Sequence, residues 1–301
     1  MNKKGLLLVL GTAIISGFSV FVNKFGVSFS DPVAYTFFKN ICVALVISGI
    51  IFYLTSFKQF KKINRKDWLK LVAIGVIGGS IPFILFFKGL SMTSAAQGAF
   101  IHKSMFILVA ILAWGFLREK IRMSFFIGGG LLFLGNLFFL KSLEINFSQG
   151  DWLILAATLF WAVENIISKK ALASVDWKML VWSRMTFGSL IIFGYLILSG
   201  GVQNVFSLNL QQAGWAVISA LFLFGYQATW YGGLKYVPVS VATSILLLGS
   251  TITTFLGFIQ KGQVETQSLL ASSAIILGVL VILFSGILAQ KARKMFHYVR
   301  G

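Results

Sequence analysis

The chain has 301 residues, of which 57% are hydrophobic and 11% are charged, and its mean hydropathy is +0.89. A water-soluble fold of this length cannot bury so much apolar surface, so the composition excludes a soluble globular protein and indicates a membrane protein. The net charge of +18 does not indicate a nucleic-acid partner, because the basic residues lie between apolar runs, as in the loops of a membrane protein. The single cysteine, Cys42, excludes an internal disulfide.

Ten apolar runs are long enough to cross a hydrocarbon core of ~30 Å, and short polar connections separate them. They predict an all-α integral membrane protein with ten transmembrane helices in contact with lipid. The predicted spans are 5–23, 32–54, 69–88, 94–116, 124–140, 152–168, 178–199, 213–232, 239–260 and 268–289. The first run resembles a signal peptide, but no small-residue cleavage site follows it, so it is interpreted as the first span.

The chain contains an internal repeat. Residues 16–39 and 161–184 align without a gap, and a lysine, an aspartate and a basic residue fall on matching positions. We therefore predict two homologous five-helix repeats, 1–145 and 146–301. Because five is an odd number, the second repeat enters the membrane from the opposite side. Inverted repeats are typical of alternating-access transporters whose substrate site lies near the membrane midplane.

The basic residues predict the orientation in the membrane. With a cytoplasmic N-terminus, eighteen of the 26 Lys and Arg residues lie on the cytoplasmic side, four lie outside and four lie within spans. Cytoplasmic loops of membrane proteins carry the excess of Lys and Arg. The bias therefore predicts a multi-pass protein of the cell membrane with both termini in the cytoplasm.

Two short motifs carry a family resemblance. WAVEN at 161–165, followed by a pair of lysines, opens span six, and FLREK at 116–120 closes span four. Together with ten spans in two repeats, they resemble the EamA family of the drug/metabolite transporter superfamily. The resemblance covers essentially the whole chain and implies a secondary transporter without a cofactor, most simply an exporter of small amphipathic metabolites such as amino acids. Two positions depart from the family pattern, with Gln263 in place of a glutamate and Glu164 in place of a small polar residue.

Two alternatives stay open at this stage. A transporter with this architecture could instead carry a lipid-linked or nucleotide-linked sugar. In a different class, a membrane enzyme could use Glu164 and His102 as acid and base. The chain has no zinc-binding, Asp-rich or phosphate-loop motif, so we predict that it is not an enzyme and that it holds no metal.

One face of span six carries the leading site candidates. Trp161, Glu164 and Ser168 are spaced three and four residues apart and therefore share a helical face. Glu164 either lines a substrate or proton pathway or forms a structural ion pair, since an isolated acid in hydrocarbon is costly. The equivalent face of span one carries Ser16 and Ser19, which either line a cavity opposite span six or allow close helix packing.

Span four carries two polar residues near mid-depth, His102 and Lys103. Neighbouring helical residues point about 100° apart, so only one of them can face a central cavity, and Lys103 is the stronger candidate. Lys39 and Arg184 are predicted to extend towards the membrane surface or to contact loop carbonyls. Because the cations outnumber Glu164, we predict a positively charged cavity and an anionic or zwitterionic substrate, with proton coupling as an option.

Aromatic residues of spans three and eight complete the predicted site. Phe83 and Phe87 of span three match the region of Gln227, Trp230 and Tyr231 in span eight. Such rings would form a permissive wall for amphipathic small molecules. The alternative for each phenylalanine is a lipid-facing position.

Overall fold

A computed structural model describes residues 2–27, 31–55, 58–93, 95–139, 147–262 and 265–299. These residues form helices and short connections, with no β-strand among them. The helices are α1 (Lys3–Val27), α2 (Pro32–Thr55), α3 (Lys58–Lys61), α4 (Arg65–Gly79), α5 (Ile81–Leu90), α6 (Ala95–Lys103), α7 (Met105–Leu117), α8 (Met123–Phe138), α9 (Gln149–Ala171), α10 (Trp177–Leu198), α11 (Gln203–Phe206), α12 (Leu210–Leu234), α13 (Val239–Leu246), α14 (Leu248–Lys261) and α15 (Thr266–Val299). Gln263 lies outside the described residues.

The prediction of an all-α membrane protein is confirmed. Within the described ranges, eight helical segments are long and apolar enough to cross a membrane. They correspond to α1, α2, α4 with α5, α6 with α7, α9, α10, α13 with α14, and α15. The predicted fifth span is the shorter apolar helix α8, and α12 covers the predicted eighth span at 213–232. The count of ten spans stays a prediction.

Three of the predicted spans are broken near their middle. The helix pairs α4–α5, α6–α7 and α13–α14 meet at Ser80, Ser104 and Leu247. At the first break the Ser80 hydroxyl donates to the Val76 carbonyl at 2.7 Å, and at the second the Ser104 hydroxyl donates to the Phe100 carbonyl at 2.9 Å. Both carbonyls also accept from the backbone nitrogen of the same serine, so each hydroxyl adds a second hydrogen bond at the break. Helices broken in this way commonly border the substrate site of a transporter.

The helices of the two halves pack against each other in matching pairs. Helix α9, the sixth predicted span, packs on α4, α5, α6 and α7, which form spans three and four. Helix α1, the first span, packs in the same way on α12, α13 and α14, which form spans eight and nine. Helices α2 and α10 contact each other, as do α8 and α15. Such matching pairs are expected when two homologous repeats pack against each other. The repeat boundaries and the inverted orientation stay predictions.

Two glycines let α4 approach α9 and α10 closely. A Cβ atom at Gly78 would lie 2.5 Å from Cγ of Glu164, so any larger residue would push α9 away. A Cβ atom at Gly79 would overlap the backbone of Arg184 and lie 3.0 Å from Cα of Gly188. The end of α4 therefore brings together the segments that carry Glu164 and Arg184.

Candidate functional site

A buried polar cluster joins α9, α10 and α12. Arg184 Nη1 donates to Glu164 Oε2 at 3.0 Å and to the Tyr231 hydroxyl oxygen at 3.0 Å. The hydroxyls of Tyr231 and Ser168 donate to Glu164 Oε1 at 2.7 Å and 2.5 Å. Glu164 thus accepts three hydrogen bonds from three helices. We call Glu164, Ser168, Arg184 and Tyr231 the ion-pair cluster.

The ion-pair cluster corrects the prediction for Arg184 and shows the partner of Glu164. Arg184 was expected to extend towards the membrane surface or to loop carbonyls, and this is wrong: it is 8% exposed and bonds to Glu164. For Glu164, which is 1% exposed, the structure shows the ion-pair alternative. Because desolvating two charges often costs as much as their attraction returns, a buried pair is weak evidence of a purely stabilising role.

An aromatic group surrounds Trp161, one turn before Glu164 on α9. The indole ring lies 5.2 Å from Phe83, 5.7 Å from Phe86 and 4.8 Å from His102, measured between ring centroids. Trp161 Nε1 donates to the Gly78 carbonyl at 3.1 Å, which fixes the ring against α4. His102, rather than its neighbour Lys103, is therefore the residue of the α6 end that contacts this face of α9. We call Trp161, Phe83, Phe86 and His102 the aromatic group.

Two lysines within the predicted spans lie over aromatic rings. Lys103 Nζ is 4.6 Å from the ring centroid of Phe139, just after α8, whereas the ion pair of Glu164 is with Arg184. Lys39 Nζ is 5.5 Å from the ring of Tyr35, one turn nearer the start of α2. Tyr35 is itself buried, and the predicted reach of Lys39 towards the membrane surface stays a prediction.

The residues predicted on α12 and α5 fall into separate environments. Tyr231 belongs to the ion-pair cluster, and Gln227, one turn earlier, is 2% exposed with no partner for its Oε1 atom. Trp230 is also buried and stacks on Tyr226 with 6.3 Å between centroids. Phe87 extends the aromatic group along α5, since its ring lies 5.8 Å from that of Phe86.

The serines predicted on α1 contact a different part of the molecule. Ser16 lies against Gly249 of α14, where a Cβ on the glycine would be 3.2 Å from that of the serine. Ser19 accepts a hydrogen bond from Asn23 on its own helix at 3.1 Å. In this conformation, Ser16 fits the helix-packing alternative better than a cavity wall facing α9.

A second polar cluster, which the sequence reasoning missed, lies at the connection between α12 and α13. Glu119, in the loop after α7, accepts hydrogen bonds from the backbone nitrogens of Val239 and Ser240 at 2.7 and 3.2 Å and from the Ser240 hydroxyl at 2.6 Å. This carboxylate thereby caps the beginning of α13, where backbone N–H groups lack helical partners.

Lys169 also bonds to the connection between α12 and α13. Its Nζ atom donates to the carbonyls of Leu234 and Val237 at 2.5 and 2.7 Å, at the end of α12. We call Glu119 and Lys169 the clamp. A cavity of about 450 Å³ lies between them, and it is lined by Leu117, Glu119, Lys169, Lys235, Tyr236, Val237 and Pro238. Both clamp residues stand in the two quoted motifs, but sequence spacing could not show that they meet.

Comparison with known proteins gives consistent results. The sequence model of the EamA-like transporter family matches residues 3–141 and 148–284. An uncharacterized transporter of Bacillus subtilis, YyaM, is 24% identical over 285 residues, covering 91% of this chain and 92% of the relative. An uncharacterized transporter of Archaeoglobus fulgidus is 26% identical over 279 residues, covering 91% and 96%. The riboflavin transporter ImpX of Fusobacterium nucleatum is 24% identical over 299 residues, covering 91% and 95%.

Among solved structures, a crystal structure of another protein matches with a TM-score of 0.78. The match covers 97% of this chain and 99% of that chain at 14% sequence identity, so it concerns the fold alone. The family match and the names of the relatives support a membrane transporter rather than an enzyme.

Proposed function

Because the chain belongs to the EamA-like transporter family, we propose that it is an alternating-access carrier of small amphipathic metabolites whose site lies beside Trp161 and Glu164. Amino acids are the leading substrate class, and export is the proposed direction. The family and the multi-pass helical fold stand independently of this choice of substrate.

The observation that carries the proposal is the meeting of an apolar and a polar surface on one face of α9. The aromatic group around Trp161 and the ion-pair cluster around Glu164 are separated by three residues, or roughly 5 Å along the helix. An amphipathic molecule needs an apolar wall and a few fixed polar groups within its own length. The breaks at Ser80 and Ser104 follow directly after the residues that touch this face, Gly78 and His102. Broken helices at mid-depth are typical of carrier sites.

A planar heteroaromatic compound is a second candidate substrate. The name of the relative in Fusobacterium nucleatum specifies riboflavin, and the aromatic group here offers rings that could contact a flat apolar surface. The proposed positive charge of the site now depends on Lys39 and Lys103, because Glu164 neutralises Arg184. Coupling to protons would use Glu164 and stays part of the proposal.

The arrangement in the membrane also belongs to the proposal. We place both termini in the cytoplasm of a cell-membrane protein with two inverted repeats, 1–145 and 146–301, on the basis of the basic loops and the matching helix pairs. Single cysteines introduced as Lys3→Cys or Met295→Cys, with Cys42 replaced by Ser, test the orientation. Labelling of either position from outside intact cells would rule it out.

Transport can be tested with purified protein in liposomes. Counterflow of the twenty common L-amino acids and of riboflavin, each radiolabelled, should show accumulation of at least one compound without chemical change. Trp161→Ala should weaken its transport about tenfold, which corresponds to ~1.4 kcal/mol of lost ring contact. Trp114→Ala is the matched control, because Trp114 on α7 is 66% exposed and lies outside the aromatic group. Equal loss in both variants, or no transport of any compound, would refute the proposal.

A further inference from the structure

Arg184 has an unused hydrogen-bonding group. Its Nη1 atom serves both Glu164 and Tyr231, whereas its Nε atom is buried and has no partner. Buried donors in folded proteins are nearly always paired, and leaving one unpaired costs about 1–3 kcal/mol, or more when the group is charged. A ligand carboxylate is the strongest acceptor for such an edge of a guanidinium.

Gln227, one helical turn before Tyr231, has an unused hydrogen-bond acceptor. Its Oε1 atom is buried without a partner, and the residue precedes Tyr231 by four positions on α12, about 6 Å along the axis. Residues four apart share one face of a helix, so Gln227 and Tyr231 lie on the same side of α12. The hydroxyl of that ring reaches Arg184 at 3.0 Å. Because Gln227 and Tyr231 share a face of α12, we expect the free acceptor to lie on the side of α12 that meets Arg184.

The charge of the ion-pair cluster selects between ligand classes. Glu164 and Arg184 neutralise each other, and Tyr231 and Gln227 are neutral side chains. Lys39 and Lys103 lie over Tyr35 and Phe139 and not at this cluster, so an anion bound at the cluster itself would add a charge without a local counterion in a medium of low dielectric constant, which is costly. A zwitterion adds none, and it offers an acceptor for a guanidinium and a donor for an amide oxygen at once.

We propose that Arg184 binds the carboxylate, and Gln227 the ammonium group, of a zwitterionic amino acid whose side chain lies towards the aromatic group. The proposal rests on the proposed transport function and names the residues that would recognise the two charges. Glu164 cannot take the part of Arg184, because a carboxylate is an acceptor. His102 of the aromatic group also has an unpartnered ring nitrogen, Nδ1, but an imidazole lacks the permanent charge and the paired N–H groups of a guanidinium.

The test begins with the binding of each of the twenty L-amino acids to the purified protein. Binding is measured by thermal stabilisation or by calorimetry. The best binder is then compared with its N-acetyl derivative, which keeps the carboxylate, and with its decarboxylated amine, which keeps the ammonium group. The double variant Arg184→Gln/Glu164→Gln removes both charges without leaving either one unpaired. This variant should bind the amino acid and the N-acetyl derivative at least tenfold more weakly. Its affinity for the amine should stay within about twofold of the original.

Gln227→Met should give the complementary result. It keeps the volume and removes the amide oxygen, so the amino acid and the amine should bind at least tenfold more weakly, while the N-acetyl derivative should not change. Gln211→Met is the control, because Gln211 is exposed at the start of the same helix. Melting temperatures of all variants show whether each is folded.

Several outcomes would overturn the inference. Equal weakening of all three compounds by either site variant would mean that the residues support the site only as structure. Binding of no amino acid by a protein that transports another compound would refute the zwitterion site and leave the transport function standing. Absence of transport for every compound would instead remove the proposed function, and this inference with it.

Discussion

The clamp offers a local prediction that can be worked from individual hydrogen bonds. Glu119→Gln keeps the shape of the side chain and one acceptor oxygen but replaces the other oxygen with an NH₂ group. That oxygen accepts from the Ser240 nitrogen at 3.2 Å and from its hydroxyl at 2.6 Å. If the remaining oxygen keeps the Val239 bond, the Ser240 nitrogen loses its acceptor, while the new NH₂ group can still donate to the Ser240 hydroxyl. The favourable interaction between a carboxylate and a helix N-terminus is lost in either orientation of the amide.

The expected cost follows from these contacts. Hydrogen bonds to charged groups contribute about 1.5–3 kcal/mol each, and loss of an N-terminal cap costs about 0.5–2 kcal/mol. Since Glu119 is only half-buried and water can replace part of the loss, we take about 2 kcal/mol for the whole change. If opening of this segment precedes exchange of its amides, 2 kcal/mol corresponds to roughly 30-fold faster exchange.

Hydrogen–deuterium exchange of the purified protein measures this directly. The peptide that contains Val239 and Ser240 should exchange faster in Glu119→Gln, while peptides from α8 and α15 should not change. Lys120→Gln is the matched control, because it alters the charge of an exposed neighbour in the same loop. Unchanged exchange at 239–240 in Glu119→Gln, or an equal increase in Lys120→Gln, would show that the capping bonds do not hold this helix start.

Two further predictions concern stability in detergent. Gly78→Ala should lower the free energy of unfolding by about 1–3 kcal/mol, because its methyl group would lie 2.5 Å from Cγ of Glu164; Gly49→Ala, which meets nothing within 4 Å, should not lower it. Equal melting temperatures for the two glycine variants would contradict the close approach. Arg184→Gln alone should cost about 3–5 kcal/mol because it leaves Glu164 charged and unpaired, and adding Glu164→Gln should restore most of that loss. Additive losses in this double-mutant cycle would mean that the two side chains do not pair.

The fold was predictable where hydropathy and helical periodicity decide it. Apolar runs of about twenty residues place each helix of the membrane region, because lipid requires every backbone group to be bonded within the segment. The breaks at Ser80 and Ser104 were not predicted. Hydropathy is averaged over a long window, and one serine hydroxyl that bonds to a carbonyl hardly changes that average. The runs at 69–88 and 94–116 therefore read as unbroken helices.

The candidate site was predictable only within single helices. The shared face of Trp161 and Glu164 follows from their spacing, since residues three apart lie on one side of a helix. The partner of Glu164 does not follow, because Arg184 lies twenty residues further on and reaches it only through the packing of α9 on α4 and α10 on α4. Whether His102 or Lys103 contacts Trp161 depends on the rotation of α6 about its axis. The spacing of residues within one helix does not determine that rotation.

The clamp and the ion-pair cluster are linked through the same two helices. On α9, Lys169 of the clamp lies five residues after Glu164, and on α12 the carbonyl that Lys169 binds, that of Leu234, lies three residues after Tyr231. The two contacts between α9 and α12 are therefore separated by roughly 5–8 Å along each axis. Side-chain bonds join α9 and α12 at these two places. If each helix moves as a rigid segment, a separation at the clamp would also lengthen the bond between Tyr231 and Glu164. In the proposed carrier, a ligand that replaces bonds within the ion-pair cluster would remove one of these two contacts and leave the other, and that difference would allow binding to favour one conformation over another.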